Sequence, residues 1–104
     1  MSDRISGLKN KLESNPNQVF HRFRLAQAYL DENHLDLACK EFELCLKENP
    51  EWMIAALSLG RIYIQQEEFE MAKKNLRLAL KLAREQNHDD PAVEAEELLK
   101  ECDS

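Results

Sequence analysis

Residues 22–50 read RFRLAQAYLDENHLDLACKEFELCLKENP, and residues 56–84 read ALSLGRIYIQQEEFEMAKKNLRLALKLAR. Overlaid at an offset of 34 positions, the two stretches agree at their landmarks: Leu25 with Leu59, Ala26 with Gly60, Tyr29 with Tyr63 and Ala38 with Ala72. The same offset relates Asn15-Pro16 to Asn49-Pro50, Leu12 to Leu46 and Leu46 to Leu80. A fixed period of that length marks one supersecondary unit stacked on copies of itself, each unit burying a face that it cannot bury alone.

Within each cycle the apolar spacing is helical. From Asn17 to about Asp31, Phe20, Phe23, Leu25, Ala26, Ala28, Tyr29 and Leu30 cover more than one stripe, which suits a helix packed on two sides. Asn33-His34 then punctuates, because asparagine tolerates the left-handed backbone of a tight turn between helices. Leu35, Ala38, Cys39, Phe42, Cys45 and Leu46 place a second helix over about 35–48, and Asn49-Pro50 stops it. The second cycle predicts helices over 51–65 and 69 to about 86. Gly60 in mid-helix fits a place where a neighbouring helix comes too close for a side chain, and Arg84 stands where the first cycle has Pro50, so the last helix of this cycle runs on.

The ends extend the pattern. Ile5, Leu8 and Leu12 predict an amphipathic helix over 3–14, capped by Ser2 or Asp3 and overlying 37–48, as if it were the second helix of a repeat lacking its first. Gly7 inside it costs about 1 kcal/mol relative to alanine. Toward the C-terminus, Pro91 suits a first helical position, Ala92, Ala95, Leu98, Leu99 and Cys102 form one apolar stripe, and Glu94, Glu96, Glu97 and Glu101 leave the other face to water. The expected organisation is one domain: a capping helix at 3–16, repeats at 17–50 and 51–86, and a second capping helix at 90–102. Terminal units of such stacks need a polar outer face.

Composition supports helix: 43% of residues are apolar and 33% charged, yet there are only two glycines and three prolines. No apolar run approaches the roughly 20 residues that a membrane-spanning helix needs, and the N-terminus lacks a signal-peptide core, so the expectation is a soluble, cytoplasmic protein without a membrane partner. Cys39, Cys45 and Cys102 are an odd number without paired metal spacing and read as reduced, mostly buried thiols. The net charge of −6 comes in blocks of alternating sign: positive to residue 30, negative over 31–72, positive over 73–84 and negative beyond. Such a field repels nucleic acid at long range, and none is expected as a partner.

No catalytic constellation emerges, and no cofactor or metal is expected. His21, His34 and His88 lie on different segments without ligands at metal spacing, and with Gly7 and Gly60 the only glycines there is no phosphate-binding loop. The basic run Lys73, Lys74, Arg77, Lys81 and Arg84 lies largely along one helix face. Without interleaved aromatics it reads as a solvated surface partly neutralised by the acidic helix that follows.

At these landmarks the chain resembles the tetratricopeptide repeat, whose pattern is W-x-x-L-G-x-x-Y, then A-x-x-x-F, then a small residue and a proline. The first cycle supplies Leu25, Tyr29, Ala38, Phe42, Cys45 and Pro50, with Arg22 in place of the tryptophan and Ala26 in place of the glycine. The second supplies Leu59, Gly60, Tyr63, Ala72 and Ala79, with Ala56, Leu76 and Arg84 as its departures. The chain as a whole resembles the short stand-alone bacterial members of the family.

The resemblance implies an all-α superhelix of about three antiparallel helix pairs, with Leu25, Tyr29, Ala38, Phe42, Leu59, Gly60, Tyr63, Ala72 and Leu76 in its core. It also implies a non-enzymatic scaffold or adaptor that takes a peptide or partner segment in a concave groove lined by the first helix of each pair. The matching groove positions are Phe20, Phe23, Arg24, Gln27, Leu57, Ser58, Arg61 and Gln65. Arg24 and Arg61 would favour a ligand carrying acidic or carboxylate groups. Phe23, Gln27 and Ser58 replace three residues by which one sub-class of the family clamps the C-terminal carboxylate of chaperones, which argues against that specialised role. The apolar groove residues leave open a second placement, in the core beneath the terminal helices. The alternative function is self-association, a homodimer or larger homo-oligomer formed through the groove or through the oppositely charged ends.

Overall fold

A computed structural model describes residues 2–103, which contain six helices and no strand: α1 (Asp3–Ser14), α2 (Val19–Asp31), α3 (Leu35–Glu48), α4 (Met53–Gln65), α5 (Phe69–Glu85) and α6 (Asp89–Cys102). The chain divides between Pro50 and Glu51 into two compact units, one holding α1 to α3 and the other α4 to α6.

In the first unit α2 packs against both α1 and α3. Ser2 caps α1 by accepting the Ile5 N–H at 3.2 Å, and its hydroxyl donates to the Glu32 carboxylate at 2.6 Å. Arg4 pairs with Asp31 at 2.9 Å. Both links tie the start of α1 to the end of α2, so these helices run antiparallel. The core is built from Ile5 and Leu8 of α1, Leu25, Ala26, Ala28 and Tyr29 of α2, and Ala38, Phe42 and Cys45 of α3. Arg22, at the position where the repeat pattern has tryptophan, is half-buried and pairs with Glu41 of α3 at 2.7 Å. An ion pair thus replaces a ring at the α2 and α3 contact.

In the second unit α4 packs against α5 and α6, and α5 against α6. Ala55 through Gly60, together with Met53, Ile62 and Tyr63, are buried, which accounts for the strongly apolar character of this helix. A Cβ placed on Gly60 would stand 2.6 Å from the Leu76 Cγ, and Leu76 is itself fully enclosed, so glycine is what lets α5 approach. The Arg22 and Glu41 pair has Ala56 and Asn75 as its counterparts one period on. Asn75 instead donates its side-chain amide to the Met71 carbonyl of its own helix at 2.9 Å.

Three connections share one geometry. Asn33, Glu67 and Asn87 adopt φ of 61°, 59° and 59°. The N–H that follows each reaches back five residues to a helical carbonyl: His34 to Tyr29, Glu68 to Tyr63 and His88 to Ala83, each at 2.8 Å. This left-handed cap satisfies carbonyls at the helix end while reversing the chain. Two expectations change. Helix α6 begins at Asp89, so Pro91 is its third residue and not its first; its missing N–H still falls among the initial groups that have no carbonyl partner. Cys45 and Cys102 are buried, but Cys39 is partly exposed, its thiol 3.7 Å from the Glu43 carboxylate.

Two substitutions test this packing. Gly60→Leu overpacks the α4 and α5 contact and is expected to destabilise the protein by about 1–3 kcal/mol, seen as a lower midpoint in urea. Glu67→Asn relieves the left-handed strain of a long side chain and is expected to stabilise by roughly 0.5–1 kcal/mol, with an unchanged denaturant slope.

Candidate partner-binding surface

On α2, Phe20, Arg24, Gln27 and Asp31 follow at steps of four, three and four residues and all are exposed. Phe20 is 58% exposed and stacks on Phe23 with ring centroids 6.4 Å apart. Phe23 itself is buried, its ring edge-to-face with Phe42 at 5.7 Å. Arg24 has no ion pair or hydrogen bond among the described residues, and it lines a shallow cavity of about 230 Å³ with Asp3, Arg4, Gly7, Leu8 and Lys11 of α1.

The α4 face has a different character. Leu57 and Ser58 are 2% and 5% exposed, whereas Ile54, Arg61 and Gln65 reach solvent. Arg61 donates through Nε and Nη2 to the Glu94 carboxylate of α6. Of the groove positions expected from the sequence, Phe20, Arg24 and Gln27 are therefore exposed in the first unit and Arg61 and Gln65 in the second, while Phe23, Leu57 and Ser58 are buried. Sequence reasoning did not include Arg4, Gly7 and Lys11 of α1. Their signal was Gly7, a helix-weakening residue in mid-helix with no local reason to be there.

The basic face of α5 is partly neutralised, as its order in the chain suggested. Arg84 pairs with Glu96 at 2.7 Å and Lys73 with Asp103 at 2.7 Å. The hydrogen bond between Lys73 and Asp103 raises the ammonium pKa and lowers that of the carboxyl. Arg77 and Lys81, whose side chains form no ion pair or hydrogen bond among the described residues, line an open cavity of about 450 Å³ with Leu80, Arg84 and Glu85.

The two buried thiols carry no sign of activation. Burial pushes Cys45 up to about 12, outweighing the opposite pull of Arg22, with Glu41 and Glu48 adding to the rise. Burial likewise raises Cys102, against the pull of Lys73. Nucleophilic cysteines show the reverse, a depressed pKa in an electropositive, partly open setting. Among the described residues no group of three His, Cys, Asp or Glu side chains is arranged to hold a metal, and no helix is long and apolar enough to cross a membrane.

Known proteins agree with this architecture. The tetratricopeptide-repeat family matches residues 22–51 and 55–86, and the chain belongs to that family. A tetratricopeptide-repeat domain protein from Salinibacter ruber, solved by NMR, is 22% identical with a TM-score of 0.74, over 85% of this chain and 89% of that one. A solution structure from Bordetella parapertussis is 20% identical with a TM-score of 0.82, over 98% and 89% of the two chains. At such identities the likeness is one of fold. No curated protein matches the chain significantly. Repeats of this family generally mediate protein–protein interaction, and the family is typically non-enzymatic.

Thiol chemistry gives a check. In the native state a disulfide-exchange reagent is expected to label Cys39 readily and to reach Cys45 and Cys102 only on unfolding. Because the folded Cys45 holds its proton more tightly than an ordinary thiol with a pKa of 9.0, its contribution to stability is complete below pH 9 and is lost as pH rises toward 12. Urea midpoints measured across that window are expected to fall further for wild type than for Cys45→Ala.

Proposed function

We propose that this protein is a binding module for a partner protein, and that the exposed face of α2 carries the main contacts. Phe20 offers an apolar ring, Arg24 an uncommitted cation and Gln27 an amide, all on one side of one helix. The observation that carries the reading is the coexistence of a large exposed aromatic and an unpaired arginine on the helix that, in this family, faces the ligand. Aromatic residues, phenylalanine included, and arginine are enriched at protein interfaces. A segment bearing an apolar residue next to an aspartate or glutamate satisfies both groups through area burial and a charge-assisted hydrogen bond. On the second unit Gln65 is exposed and Arg61 is held by Glu94. A contact centred on one helix face is short, and a dissociation constant in the micromolar range, about −8 kcal/mol, is expected.

The same face distinguishes binding of a foreign partner from self-association. Light scattering coupled to gel filtration at low and high salt is expected to show a monomer. Affinity capture with Phe20→Ser plus Arg24→Glu is expected to lose the partner, with helicity and melting temperature close to wild type because both side chains are exposed. Retention of the partner by that variant, together with its loss by Arg77→Glu plus Lys81→Glu, would move the binding face to α5.

A further inference from the structure

The α1 helix lies outside the matched repeats, yet with Arg24 it walls the cavity formed by Asp3, Arg4, Gly7, Leu8 and Lys11. Gly7 is the informative residue. Its backbone is right-handed helical, and a Cβ built there meets nothing within 4 Å, so neither a turn nor a close approach requires glycine. What a side chain at that position would occupy is the mouth of the cavity. The cations around it are unequal: Arg4 is committed to Asp31, whereas the side chains of Lys11 and Arg24 have no ion pair or hydrogen bond among the described residues. Leu8 supplies an apolar wall.

We propose that this cavity is a subsite for the side-chain carboxylate of an aspartate or glutamate on the partner, held between Lys11 and Arg24 with its methylene stem against Leu8. The assignment rests on the binding role proposed above and deepens it, adding a helix outside the repeats to the recognition surface. A free chain terminus fits less well. Its carboxylate arrives with a peptide group that needs backbone partners, and the N–H groups of Gly7, Leu8, Lys11 and Arg24 are inside helices and already committed. Asp3 at the rim repels a second negative charge, so the subsite suits one singly charged group better than a phosphate.

The probe is N-acetyl-glutamate N-methylamide, titrated into the whole protein and followed by amide and arginine side-chain NMR shifts, with the glutamine analogue as neutral control. The expected result is saturable shifts at Gly7, Lys11 and Arg24 with a dissociation constant on the order of millimolar. Lys11→Gln plus Arg24→Gln is expected to weaken binding at least about tenfold, the scale of one charge-assisted hydrogen bond. Gly7→Leu, which fills the mouth, is expected to abolish the shifts, while Gly7→Ala melts above wild type and shows that the helix tolerates a side chain. Equal shifts from the glutamine analogue, tighter saturation by N-acetyl-leucine or inorganic phosphate, or undiminished binding to Gly7→Leu would overturn the proposal. Loss of partner capture in Phe20→Ser plus Arg24→Glu with no probe binding to wild type would sink this subsite alone. Probe binding as expected, with partner capture insensitive to Phe20 and Arg24, would leave a carboxylate site that the captured partner does not use and overturn both proposals.

Discussion

Much of this fold depends on reversing a helix within three residues without leaving its last carbonyls unpaired. The protein does this three times by one device, a single residue in the left-handed region followed by an N–H that reaches back five positions. Asparagine takes that conformation at low cost at Asn33 and Asn87; Glu67 takes it against its own preference. Strain at Glu67 is tolerated because packing over-determines the turn: Tyr63 and Ala72 on either side of it are buried, and Gly60 lets α5 seat Leu76 against α4. Turn and close approach are one constraint, since a short turn brings two helices together only where their facing residues are small enough.

That constraint is why so much of the fold was legible in the sequence. The 34-residue offset exposes the small residues, the turn residues and the Asn-Pro stops together, and each is required by backbone geometry independent of any partner. The candidate surface was less legible for a physical reason. A helix face with apolar residues three and four apart looks the same whether it meets a ligand or another helix of its own chain. Phe20 and Phe23 illustrate the difficulty: adjacent on the helical wheel, one is open and the other lies edge-on to Phe42. Leu57 and Ser58 were placed on the ligand side by register, and their burial follows from packing that register does not describe. Glu94 as the partner of Arg61 was out of reach because α6 does not continue the 34-residue alignment.

Arg22 shows how a departure from the repeat pattern is accommodated. Replacing a tryptophan by arginine at a helix contact would leave a charge in a poorly solvated place, an expensive change without an opposite charge. Glu41 on the facing helix supplies it, and the pair is screened from water on both sides, with 23% and 15% of the two side chains exposed. In the second cycle the equivalent positions hold Ala56 and Asn75, a small residue opposite an amide that satisfies itself within its helix. The two cycles share their backbone plan but fill these equivalent positions by different chemistry.

The distribution of committed and free cations bears on how a partner would be selected. Arg4, Arg22, Arg61, Lys73 and Arg84 all form ion pairs with carboxylates of this chain, whereas Lys11 and Arg24 in the first unit and Arg77 and Lys81 in the second form none among the described residues. With a net charge of −6, an acidic partner is repelled at distances where only the total charge is felt. Within a Debye length, about 8 Å at physiological salt, the local cations dominate instead. Added salt relaxes the repulsion and weakens the contact together, so association by this route depends on salt less steeply than a basic patch on a basic protein. Under the proposed reading, a partner that presents one carboxylate beside an apolar residue is preferred over one that is acidic throughout. A densely acidic segment gains little at two cations and meets the full opposing field.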